Sequence, residues 1–89
     1  MENINGANMI ILDSARKHGI SDADMEMVIS DPVFVGEIKY PYKMLFLGFD
    51  SKARALEVIT DIGDSGQLYV IHADKITKDN EKLLKEVLG

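Results

Sequence analysis

One stretch near the C-terminus constrains the fold most. ALEVITDI (55–62) and QLYVIHA (67–73) flank GDSG (63–66). Two β-branched, apolar runs around a short glycine-containing turn predict an antiparallel hairpin. A lone hairpin is marginal in water, so other elements must cover it. The segment upstream supplies more strands. VFVGEIKY (33–40) and YKMLFLGF (42–49) are rich in aromatic and β-branched residues. Pro41 suits the turn between them, and Gly36 marks an expected bulge. DSKAR (50–54) reads as a turn, with Asp50 and Ser51 able to bond the local backbone. The prediction is an antiparallel meander of three to four strands, with Val58, Ile59, Val70 and Ile71 in its central pair.

Helical signals lie on either side of the meander. Over residues 9–17, Ile11, Ala15 and His18 fall at i, i+4 and i+7, Arg16 and Lys17 suit a helix C-terminus, and Gly19 supplies a stop. Ser21 is a good N-cap for a second helix, which Asp31–Pro32 should end near Ser30. Thr77 should cap a third helix over 78–88, with Leu83, Leu84, Val87 and Leu88 as its apolar stripe. Lys78, Lys82 and Lys85 among Glu81 and Glu86 read as its solvated face. Residues 1–8 are polar and read as a flexible start. Residues 9–89 then form a single α+β domain: two N-terminal helices, the meander and a C-terminal helix. One face of the sheet packs on helices, and the other is free for a ligand or partner.

Composition narrows the function classes. The 89 residues suffice for one domain, and 46% hydrophobic content suits a globular chain. There is no cysteine, which excludes thiolate metal sites and disulfides and suits a reducing cytoplasm. No run approaches membrane-spanning length. The formal net charge is −5, which disfavours nucleic-acid binding as a whole-molecule property. Yet Lys39, Lys43, Lys52 and Arg54 stand close in sequence against Asp50 alone, so a local basic surface that could hold RNA through Lys43 and Lys52 is compatible with the acidic total.

The polar residues that could do chemistry are Arg54, Glu57, His72, Asp74 and Lys75. No metal-ligand spacing, phosphate-binding glycine loop or nucleophile elbow occurs, and no cofactor is expected. His18 and His72 lie far apart in sequence. Cleavage of RNA without a metal needs a base for the 2′-hydroxyl, an acid for the leaving oxygen and cations for the phosphate. His72 or Glu57 could be base or acid, and Arg54 and Lys75 could bind phosphate. Competing readings are structural. Strict alternation puts Leu68, Val70 and His72 on one face, so His72 could be a packed ring. Glu57 points away from Leu56 and Val58, as a solvent-facing strand residue does. Arg54 could be a solvated turn charge. Tyr40 and Tyr42 fit either packing or base stacking.

ARKHGIS (15–21), SDP (30–32), LGFDSKARALEV (47–58) and VIHADKIT (70–77) together resemble the BrnT type of toxin within the wider RelE-like group. The resemblance covers roughly residues 12–78. It implies a small RelE-like α+β domain, cytoplasmic, neutralised by a cognate antitoxin in a hetero-oligomer, with cleavage of RNA either free or on the ribosome. By position, Lys17, His18, Arg54, His72 and Lys75 match basic or polar sites of that pattern, which makes Lys17 and His18 expected RNA contacts. The leading reading is an RNase toxin, favoured by His72 beside Lys75 and by the basic segment 39–54. A non-catalytic protein-interaction module of the same fold, a degenerate toxin, is the alternative, and net acidity and Asp74 favour it.

Overall fold

The computed structural model describes residues 9–39 and 42–89. The expected flexible start at 1–8, the Pro41 turn and Tyr40 lie outside the described residues. The elements are β1 (Met9–Ile11), α1 (Asp13–Arg16), α2 (Asp22–Ser30), β2 (Phe34–Lys39), β3 (Lys43–Phe49), β4 (Ala55–Ile62), β5 (Leu68–Lys75) and α3 (Lys78–Leu88). The fold is α+β, with a five-stranded mixed sheet in the order β1-β5-β4-β3-β2.

The meander is as the sequence predicts: β2 to β5 pair antiparallel in succession, and Val58, Ile59, Val70 and Ile71 lie in the two strands of the hairpin. The start of the chain differs. A helix is expected over 9–17, but Met9–Ile11 forms a strand parallel to β5, and only four residues, Asp13–Arg16, are helical. Met-Ile-Ile gains backbone partners on β5 there, and the Leu12 N–H extends the ladder to the Val70 carbonyl at 3.0 Å. Pairing with a distant strand overrides the weak local helical pattern. The sheet therefore has five strands rather than three or four, and the first expected helix shrinks to one turn.

Other local signals behave as their chemistry dictates. Ser21 Oγ accepts the Asp24 N–H at 3.1 Å and caps α2. That helix ends at Ser30 before Asp31–Pro32. Gly19 takes the left-handed conformation, φ +80°, just past α1. The bulge expected at Gly36 falls between Glu37 and Lys39 instead. Gly36 has a different duty: a Cβ there would come within 2.7 Å of the Phe34 ring, so the absent side chain makes room for that aromatic.

Helices cover both faces, which corrects the expectation of one free face. On one side Ala15, Met25 and Val28 pack on Leu56, Val58, Val70 and Ala73. On the other, Leu84 of α3 packs with Leu45 and Leu47, supported by Ile59, Ile76 and Leu83. Only the first half of the α3 stripe is used. Leu84 is buried and Leu83 partly so, while Val87 and Leu88 are exposed.

Candidate acid–base site

The site is built by one irregularity in the hairpin. Ile59 pairs with His72, but the next residue of β4, Thr60, pairs with Val70. Ile71 is therefore an extra residue, a β-bulge. Ser14 of α1 donates its hydroxyl to the Ile71 carbonyl at 2.9 Å and satisfies the exposed backbone. A bulge reverses the side-chain alternation beyond it. Val70 and Ala73, three residues apart, both enter the core under α1 and α2. His72 is sent to the opposite face, with Ile59 and Glu57. Strict alternation had put His72 with Val70, and the bulge corrects that placement.

Glu57 also departs from its expected solvent-facing role. It does point away from Leu56 and Val58, but α3 covers it, and the residue is only 4% exposed. Its Oε1 accepts the Thr77 N–H at 2.7 Å and Asn80 Nδ2 at 3.0 Å. Its Oε2 lies 3.0 Å from His72 Nε2. The carboxylate occupies the N-terminus of α3, where free N–H groups and the helix dipole favour negative charge. Thr77, the expected side-chain cap, makes no cap bond with its hydroxyl, and Glu57 bonds the Thr77 N–H from across the sheet. Burial pushes the Glu57 carboxyl up. Hydrogen bonds from Asn80, Thr77 and His72 outweigh that and hold it below its ordinary value.

A second histidine–carboxylate pair stands beside the first. His18, between α1 and Gly19, has Nδ1 3.6 Å from Asp74 Oδ2. Asp74 Oδ1 accepts the Lys75 N–H at 2.7 Å. The His18 and His72 rings are 5.7 Å apart between centroids, with 71° between their planes. They meet because β1 pairs with β5 only from Leu68 to Val70, while α1 packs beside β5. The result is a continuous array, Asp74, His18, His72, Glu57, Asn80.

The remaining sequence candidates do not join this array. Arg54 Nε donates to Asp50 Oδ2 at 2.7 Å. Asp50 is buried and also accepts the Lys52 and Arg54 N–H groups at 2.8 and 2.9 Å, so it organises the β3–β4 turn. Burial pushes its carboxyl up, but those bonds and the Arg54 charge hold it below its ordinary value. Lys75 pairs with Leu56, so its side chain leaves β5 from the face opposite His72 and is exposed at the sheet end. Lys17 and Lys52 are exposed near that same end. Lys43 begins β3 and lies at the far end of the sheet.

Sequence reasoning missed His18 as a neighbour of His72, and missed Asn80 and the Thr77 N–H altogether. Asn80 stands three residues after Thr77, a position from which a polar side chain can reach back over a helix start. That was the available signal. The array sets two imidazole rings side by side, with His72 oriented by its hydrogen bond to Glu57. Among the described residues no group of three or more His, Asp or Glu side chains is arranged to hold a metal ion, and no pocket encloses the site, which is an open rim. No helix of the described residues is long and apolar enough to cross a membrane. No protein-family model, curated protein or solved structure matches this chain.

Proposed function

We propose that this chain is a metal-independent endoribonuclease, the toxin of a BrnT-like, RelE-like toxin–antitoxin pair. One observation carries the reading: a buried, fully hydrogen-bonded Glu57 holds His72 at 3.0 Å on an open rim. A carboxylate that fixes the orientation and tautomer of a histidine is how proton-transfer sites are commonly built. Glu57 is then a positioning residue rather than the base, because its oxygens are occupied. His72 takes or gives the proton. Lys17, Lys52, Arg54 and Lys75 stand around the same end of the sheet and would contact phosphates flanking the scissile one. Arg54 does so only with the part of its guanidinium that Asp50 leaves free. Lys43 is too remote to share that strand of RNA at the rim, and would serve only a longer substrate.

A second reading, a non-catalytic module that binds an antitoxin-like protein, has its own support. β2 is an edge strand whose Val35 and Ile38 are exposed. An apolar edge is a ready template for a partner strand. The two readings are compatible in a toxin neutralised by a protein, and separable by assay. Purified protein incubated with cellular RNA in EDTA should cleave it, and His72→Gln should not. A protein that forms a tight complex with the product of a neighbouring gene, yet cleaves no RNA with or without ribosomes, would leave only the interaction module.

A further inference from the structure

We propose that His18 and His72 form a two-histidine acid–base pair, in which His72 is the base and His18 the acid. The inference rests on the ribonuclease reading and adds a second catalytic residue to it. Each ring faces its own carboxylate: His72 Nε2 is hydrogen-bonded to Glu57 Oε2 at 3.0 Å, and His18 Nδ1 lies 3.6 Å from Asp74 Oδ2, beyond hydrogen-bond distance. His72 Nδ1 and His18 Nε2 carry no hydrogen bond among the described residues. Both side chains reach solvent, at 29% and 36% exposure. One nitrogen of each ring is thus available to a substrate, while the other faces a carboxylate.

RNA cleavage without a metal uses one group to take a proton and another to give one. Attacking and leaving oxygens lie roughly in line on opposite sides of phosphorus, so proton removal and proton delivery come from two directions. Rings 5.7 Å apart between centroids are close enough for both to reach one phosphate. His72 removes the proton of the 2′-hydroxyl, whose oxygen bonds to phosphorus. The bond from phosphorus to the 5′-oxygen breaks, and that oxygen takes the proton from the His18 imidazolium. The products are a 2′,3′-cyclic phosphate and a 5′-hydroxyl, with one proton moved from His18 to His72. The roles follow from burial. Glu57 is fixed by Asn80 and Thr77 and anchors the ring that must gain charge. His18 stands by the more exposed carboxylate, the Asp74 side chain at 33% against 5% for that of Glu57, and next to Lys17 in the chain. Asp74 and Glu57 are positioning residues.

The pair is tested with two oligoribonucleotides, one ordinary and one with sulfur replacing the 5′-bridging oxygen at the cleaved bond. A thiolate leaves without a proton, so the second substrate needs no acid. His18→Gln should lose roughly 10²–10⁴-fold on the ordinary substrate and recover most of it on the sulfur substrate. Asp74→Asn should lose less and recover likewise. His72→Gln should be slow on both. Melting curves and binding of a 3′-nucleoside monophosphate, read at both ring signals by NMR, separate these losses from unfolding. His18→Gln that cleaves the ordinary substrate like the parent overturns the pair and leaves His72 acting as sole histidine. His18→Gln that is slow on both substrates, or a nucleotide that perturbs only one ring, also overturns it. A parent protein that cleaves neither substrate overturns the pair and the ribonuclease reading together.

Discussion

His72 Nε2 lies 3.0 Å from Glu57 Oε2, on the opposite face of the sheet from Val70, only two residues earlier. The single extra residue, Ile71, turns His72 to the face where that contact forms. Without it His72 would turn toward the core beneath α1 and α2, and the carboxylate under α3 would have no ring to hold. The local distortion of a strand thus carries a chemical consequence, as bulges beside functional sites do.

Replacing Glu57 by Gln should destabilise the protein in a pH-dependent way. The carboxylate is held below its ordinary value of 4.5, so its contribution is complete above that value and is lost as pH falls through the folded value. At neutral pH Glu57→Gln should cost roughly 1.5–3 kcal/mol, the usual worth of hydrogen bonds to a charged group. The gap between parent and variant should narrow below the 4.5 reference value as Glu57 itself becomes protonated. Urea midpoints across pH check this. Asp50 also adds to the acid loss of both proteins, and the comparison cancels it.

Thr60 offers a stabilising change. It is fully buried, and its Oγ1 has no hydrogen-bond partner among the described residues. An unsatisfied buried hydroxyl costs on the order of 1 kcal/mol or more. Thr60→Val keeps the shape and the β-branched side chain and removes the penalty, so the melting temperature should rise. Thermal unfolding by circular dichroism measures it.

Two leucines of α3 should differ sharply. Leu84 is 4% exposed and Leu88 58%. Leu84→Ala should cost roughly 2–5 kcal/mol by opening a cavity beside Leu45 and Leu47. Leu88→Ala should change stability by about 0.5 kcal/mol or less. Chemical denaturation of both variants decides whether α3 is held by its first half alone.

The four antiparallel strands were legible because their turns announce themselves: GDSG after Ile62, and DSKAR with its buried Asp50. The α2 boundaries were legible because Ser21 and Pro32 act locally. β1 was not. Three apolar residues carry too little pattern to separate a strand from a helix start, and their partner on β5 lies 59 residues away, Met9 against Leu68. Period-two alternation contains no mark of a bulge until the partner register is known, so the face of His72 was misplaced. For Glu57 alternation gave the right direction, but its burial depends on where α3 docks. His18 could not be joined to His72 because only the edge geometry of β5 brings α1 there. Local chemistry was thus readable, and the candidate site depends on long-range register.

The direct test of the account is RNA cleavage by parent and His72→Gln proteins in EDTA, with both shown folded by their melting curves. The account predicts that the parent cleaves and that His72→Gln loses roughly 10²–10⁴-fold while staying folded. Equal cleavage by the two folded proteins would contradict it, as would a folded parent that cleaves no RNA at all.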